Sequence, residues 1–91
     1  MTANLSVVVL GASGDLAKKK TYPTLLELFA HRYLPDNVVI AGYARSKYSP
    51  EEFRAYIRPF LLKSSVRDEA MVDAFLLRCN YHYNYDYNYT I

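Results

Sequence analysis

The stretch VVVLGASGDLAKKK, residues 7–20, restricts the fold more than any other part of the chain. Residues 5–10, LSVVVL, make a largely β-branched apolar run of strand length, suited to a strand buried on both faces by helices. The run stops at Gly11. From Leu16 onward the apolar spacing turns helical, with Tyr22, Leu25, Leu26, Phe29, Ala30 and Tyr33 tracing one stripe at intervals of three and four. Pro23 lies inside that helix and cannot donate to the carbonyl of Lys19, so the turn around Lys19 is expected to bend or loosen.

Downstream, the pattern alternates between strand and helix. LPDN, residues 34–37, reads as a turn, and VVIAGY, residues 38–43, as a second buried strand whose Gly42 marks a close approach by another backbone or a ligand. Ser49, Pro50 and Glu52 stand where an N-cap, a first-turn proline and a capping-box glutamate belong. They predict a helix from Pro50 toward Leu62 with Phe53, Ile57, Phe60 and Leu61 inward, which Pro59 should end or kink. Ser65 and Asp68 offer a weaker box ahead of another amphipathic helix carrying Met71, Val72, Phe75 and Leu76. The order β-α-β-α-α with short connections predicts an α/β fold with parallel strands and right-handed crossovers. Its 91 residues allow at most one small domain with a modest core.

The first turn of a helix that follows a strand presents backbone N–H groups without helical partners, at the mildly positive end of the helix dipole. A phosphate fits there if no side chain blocks it. In this reading Gly11 permits the sharp turn, Gly14 permits close approach of a pyrophosphate, Ala17 keeps the helix near the sheet, and Ser13 can add a hydroxyl. The G-x-x-G-x-x-A spacing departs from the G-x-G-x-x-G dinucleotide fingerprint, whose second and third small residues would fall at Ser13 and Leu16. Plain turn chemistry is the competing explanation. A P-loop is excluded because it needs glycine directly before the lysine, and Lys19 precedes Lys20-Thr21. After the second strand, GYARSK, residues 42–47, supplies Arg45, Ser46 and Lys47 and no acid. An acid there would suit a ribose 2′-hydroxyl and an arginine a 2′-phosphate, so NADP is favoured over NAD. The competing view is that Arg45 and Lys47 are solvated charges.

Charge and composition close off other classes. A net charge of +2 is too small to argue for nucleic acid, and any anionic partner should be met at Lys18, Lys19 and Lys20. Cys79 is the one cysteine, which rules out an internal disulfide and a cysteine-based metal site and suits a reducing compartment. His82 has no companion at metal-ligand spacing, His31 lying on the first helix, so no metal site is expected. The start MTANLSVVVLG has no basic n-region and its apolar run is too short for a signal peptide or membrane span, which makes a cytoplasmic address the expectation and a membrane partner unexpected. The N-glycosylation tripeptides at Asn4 and Asn88 read as accidental.

The tail, residues 80–91, is set apart. YHYNYDYNY, residues 81–89, puts tyrosine at every second position, so an extended segment would carry all five on one face, with His82, Asn84, Asp86 and Asn88 on the other. It reads either as an edge strand with a sticky aromatic surface or, the favoured reading for want of a visible partner strand downstream, as low-complexity sequence with little fixed structure.

GASGDLAKKKTYPTL, then LPDNVVIAGYARS, then FRAYIRPFL together resemble the N-terminal part of the glucose-6-phosphate dehydrogenase family, from about Val7 to Cys79. The resemblance implies the first part, residues 1–79, of a Rossmann-like NADP-binding domain, truncated relative to a family protein several times longer. It implies that Gly11, Ala12, Ser13, Gly14, Asp15 and Leu16 bind NADP and that Arg45 grips its 2′-phosphate. Lys20 then falls where cofactor and sugar phosphate meet and takes a substrate-side role, whereas Lys18 and Lys19 read as a solvated helix face. The family oxidises glucose 6-phosphate at C1 to the lactone, opening the oxidative pentose phosphate route. Its general-base histidine and most substrate lysines match segments beyond residue 91, so neither His31 nor His82 is assigned a catalytic role, no turnover is expected of this chain, and a homo-oligomer is expected only of a full-length form. After Cys79 the family pattern is lost. Two readings stay open: a fragment or shortened product of an NADP-dependent dehydrogenase, and a non-catalytic or vestigial nucleotide-binding module.

Overall fold

The computed structural model describes residues 5–83. Within them β1 (Ser6–Leu10), β2 (Val39–Tyr43) and β3 (Cys79–His82) form a parallel sheet in the order β1-β2-β3. Ser6 pairs with Val39 and Leu10 with Tyr43, while Ile40 pairs with Cys79 and Tyr43 with His82. The helices are α1 (Tyr22–Ala30), α2 (Pro50–Leu62) and α3 (Glu69–Leu76). Because side chains alternate along a strand, Val9, Ile40, Cys79 and Tyr81 point to one face. There they join Tyr22, Leu26, Phe53, Ile57, Leu61, Val72 and Phe75 of the helices in one core.

The other face of the sheet is uncovered among the described residues. Val8 is 59% exposed and Leu10 61%, so the two-sided burial expected of β1 is not found. The helices pack on the Val9 side, and among the described residues β1 is an edge strand with β2 as its neighbour. An apolar run of this length fits a strand covered on one face as well as one covered on two.

The loosening expected at Lys19 takes the form of a π-helical turn, Ala17–Thr21, in which the Tyr22 N–H donates to Ala17 O and which runs straight into α1. The extra residue in the turn accommodates the donor that Pro23 lacks. At its other end α1 closes with Tyr33 N–H donating to Leu28 O (2.8 Å) and Arg32 N–H to Phe29 O (3.1 Å). This pair of bonds is the Schellman motif, with Arg32 rather than glycine in the left-handed position at φ +63°. The chain reverses there, which carries Tyr33 off the predicted stripe and leaves it 77% exposed.

The capping box of α2 is present: Glu52 N–H donates to Ser49 Oγ (3.1 Å) and Ser49 N–H to Glu52 Oε1 (2.8 Å). Phe53, Ile57 and Leu61 are fully buried, whereas Phe60 is only partly so. Pro59 does not end the helix, which continues to Leu62 with its buried stripe holding it on both sides of the proline. Asp68, not Ser65, caps α3, accepting from the N–H groups of Ala70 (3.0 Å) and Met71 (3.4 Å). The Ser65 hydroxyl instead donates to Glu27 Oε1 at 2.7 Å. Arg58 ties α2 to α3 through Asp73 and Glu69, each at 3.0 Å. Arg54 donates to Leu76 O and Cys79 O at 3.1 and 3.2 Å, anchoring the end of α3 and the start of β3.

β3 crosses the boundary that composition drew at residue 79, so a third strand adds to the two expected. Tyr81 faces inward and stacks on Phe53 of α2 at 4.3 Å, so its partner is a helix and not a strand downstream. Tyr83 is 47% exposed. The rest of the tyrosine pattern, residues 84–91, lies outside the described residues.

Cys79, at the start of β3, lies within 3.5 Å of Phe75 O through its sulfur, and burial pushes its thiol from 9.0 up to about 12. The thiolate is the nucleophile, so the folded chain should resist iodoacetamide at pH 8 and be alkylated only as fast as it unfolds. Because the folded value lies above the unfolded one, the stabilisation from a neutral Cys79 is complete below pH 9 and is lost as pH rises toward 12. The buried phenol of Tyr22, also pushed up by burial, acts in the same direction. An alkaline urea series should therefore show stability falling from about pH 9.

Candidate functional site

The site lies at the carboxyl ends of β1 and β2, where ligands of open parallel sheets are held. Gly11 leaves β1 at φ +67°, a conformation that suits glycine, and the Ala12 N–H donates back to Tyr43 O at 3.1 Å. Gly14 N–H then donates to Gly11 O at 2.9 Å, closing the turn so tightly that a Cβ on Gly14 would lie 3.2 Å from that carbonyl. The first helical bond runs from Lys18 N–H to Gly14 O (3.1 Å). The amides of Asp15, Leu16 and Ala17 therefore precede the helical ladder. Ala17 is buried and Leu16 is 71% exposed, so the small residue faces the sheet and the large one faces out.

Arg45 follows β2 in a loop pinned on either side. Ala44 N–H donates to His82 O at 3.2 Å, and Ser46 O accepts from the Tyr81 hydroxyl. The Ser13 and Ser46 hydroxyls meet at 2.9 Å, joining the glycine turn to the arginine loop. Residues 11–16 and Arg45, singled out separately in the sequence, are thus brought to one place. Lys20 stands apart on the exposed side of the π-helical turn, along a shallow, open cleft with Thr21, Thr24 and Leu25.

Several supporting residues had no signal in the sequence. The Tyr56 hydroxyl of α2 donates to Ser13 O at 2.9 Å, holding the turn from beneath. Lys18 is not the solvated residue expected: its side chain is 20% exposed, pairs with Asp15 at 3.1 Å and lies over the rings of Tyr56 and Phe60 at 5.4 and 5.1 Å. Its hydrogen bond and charge hold the Asp15 carboxyl below its ordinary range, turned toward the lysines. Lys19 adds a longer contact to Asp15, 3.9 Å, and is 60% exposed. Beneath the turn, Gly42 makes room for Tyr22 and Ala12: an added Cβ would sit 2.5 Å from the Tyr22 hydroxyl oxygen and 2.8 Å from Ala12 Cβ. The spacing had marked Gly42 as a place of close approach, and the visitor is a side chain from α1.

The residues fit a dinucleotide on their chemistry: free amides and a glycine cradle for the phosphates, and a cation without a neighbouring acid in residues 44–47 for a further one. Among the described residues no three histidine, cysteine or acidic side chains gather to hold a metal ion, and no helix is long and apolar enough to cross a membrane.

Comparison with known proteins gives the family. Residues 8–90 match the family described as glucose-6-phosphate dehydrogenase, NAD binding domain. An Arabidopsis thaliana protein named glucose-6-phosphate 1-dehydrogenase 5, cytoplasmic, is 54% identical over 74 residues, covering 77% of this chain and 14% of the relative. The Kluyveromyces lactis glucose-6-phosphate 1-dehydrogenase is 46% identical over 80 residues, covering 87% of this chain and 16% of the relative. Chloroplastic relatives match as well. A solved structure of a glucose-6-phosphate dehydrogenase in complex with its substrate glucose-6-phosphate superposes with a TM-score of 0.81 at 44% identity, over 92% of this chain and 18% of that one. The chain thus spans about one sixth of the curated relatives it matches. With residues 8–90 matching the family and a solved family structure superposing over 92% of it, the chain belongs to the glucose-6-phosphate dehydrogenase family.

Proposed function

We propose that residues 11–16 and Arg45 bind NADP, as the opening part of the nucleotide-binding domain of a cytoplasmic glucose-6-phosphate dehydrogenase. The observation that carries the reading is the 2.9 Å contact between Ser13 and Ser46, which sets an arginine beside a turn of free amides. The amides of Asp15, Leu16 and Ala17 would receive the pyrophosphate, and Arg45 the 2′-phosphate. Bound there, the nicotinamide cofactor supplies the hydride acceptor for oxidising glucose 6-phosphate to its lactone. Lys20, beside its own cleft, takes the sugar-phosphate side. Residues 1–79, together with the strand that runs past them, act as one nucleotide-binding unit.

Titration of the chain with NADP and NAD tests the reading. NADP should bind more tightly, and Arg45→Ala should lower its affinity about 10- to 100-fold, the worth of ~1.5–3 kcal/mol for hydrogen bonds to a charged group, while leaving NAD unchanged. Equal loss for both cofactors would remove Arg45 from the 2′-phosphate. Glucose 6-phosphate oxidation by the 91-residue chain is expected to be absent, since it spans about one sixth of the length of its glucose-6-phosphate dehydrogenase relatives.

A further inference from the structure

At the opposite end of the sheet, where β2 and β3 begin, a cavity of about 340 Å³ opens between the end of α1 and α3. Phe29, Met71 and Ala74 form its apolar lining, Arg32 and Arg78 bring two guanidinium groups, and Asp36 brings one carboxylate. The cavity is open to solvent, with Phe29 and Met71 half-buried at its floor and Arg32, Asp36 and Arg78 exposed at its rim, an apolar surface edged by a few polar groups as in small-molecule sites.

Both arginines are held by their backbones. Arg78 N–H donates to Phe75 O and Arg78 O accepts from Ile40 N–H, each at 2.8 Å, which locks it between α3 and the sheet. Arg32 sits in the Schellman turn at φ +63°, where glycine would be easier by the cost of a left-handed side chain. A strained residue kept at the mouth of a cavity points to a use for its side chain. Among the described residues neither guanidinium has an ion-pair or hydrogen-bond partner, in contrast to Arg54 and Arg58, which are fully engaged.

We propose that this cavity binds a small monocarboxylate with an apolar body about the size of one ring. The carboxylate meets the forks of Arg32 and Arg78, whose planar donors match its two oxygens. The body lies against Phe29 and Met71, a ring and a thioether that favour aromatic contact. Asp36 at the rim leaves one net positive charge. A doubly charged phosphate monoester is attracted more strongly, but the cost of stripping its water rises faster with charge than the attraction does, which favours the singly charged carboxylate.

Met71 lines the cavity, so methyl-labelled methionine places a reporter there. Benzoate is expected to shift the Met71 methyl resonance saturably in the millimolar range. Benzyl alcohol, the uncharged body, should give no saturable shift, and phenyl phosphate should bind several-fold more weakly than benzoate. Arg78→Gln should weaken benzoate at least tenfold. Arg32→Gly should do the same while raising the melting temperature, because glycine relieves the left-handed strain. A more stable variant that binds less well cannot be explained by damage to the fold. No saturable shift with benzoate, benzyl alcohol binding as well as benzoate, phenyl phosphate binding as tightly, or unchanged affinity in both arginine variants would each overturn the proposal.

Discussion

Gly42→Ala is expected to lower the unfolding free energy by about 3 kcal/mol, the upper part of the range for forcing a methyl into a packed core. The new carbon would sit 2.5 Å from the Tyr22 hydroxyl and 2.8 Å from Ala12 Cβ, both inside van der Waals contact, and neither neighbour can easily move. Tyr22 is fully buried, and Ala12 is fixed by its bond to Tyr43 O. The same displacement reaches the glycine turn, so nucleotide affinity should fall with stability. Tyr22→Phe separates the two contacts. Its hydroxyl has no hydrogen-bond partner among the described residues, so removing it alone should cost nothing and can stabilise the chain. In the Gly42→Ala background it should recover part of the loss, with a coupling energy of ~1 kcal/mol or more. Urea titrations of the four forms, followed by far-UV circular dichroism, measure this directly. Strict additivity would mean that the tyrosine and the strand do not meet as described.

Phe53→Ala is expected to cost about 3–5 kcal/mol, a large share of the ~5–15 kcal/mol available to a domain. Phe53 is fully buried and stacks on Tyr81 at 4.3 Å, while Tyr22 approaches its edge at 5.6 Å. One ring therefore joins α2, β3 and α1. Removing it takes away the ring stacked on Tyr81, and the Tyr81 hydroxyl donates to Ser46 O. The arginine loop should loosen along with the core. Faster amide exchange at Arg45 and Ser46 in the variant, beyond that expected from the drop in global stability, is the measurement that links packing to the site.

How much of this could be read beforehand follows from how local each signal was. The left-handed Gly11, the capping box at Ser49 and Glu52 and the disturbance near Pro23 are written in neighbouring residues, and each appears where the spacing placed it. The position of Arg45 could be read because it depends only on following a strand, and it does follow β2. The support of the turn could not. Tyr56 reaches Ser13 across 43 positions, and Lys18 is covered by rings of a helix whose direction only tertiary packing sets. The one-sided burial of β1 escaped because an apolar run carries no record of how many layers cover it. The Schellman turn at Arg32 escaped because the residue that usually announces it, glycine, is absent. The beginning of β3 was masked by its monotonous composition, although Tyr81 had its aromatic partner waiting on α2.

The outward side of β1 has a colloidal consequence. Its sequence, SVVVL, contains no lysine, proline or acid to discourage a second ribbon from hydrogen-bonding alongside, and Val8 and Leu10 offer that newcomer a dry landing. Solutions of the 91-residue molecule should therefore grow turbid with increasing protein concentration. A single lysine in place of Val8, which faces away from the core, should clear them without disturbing the nucleotide end of the sheet.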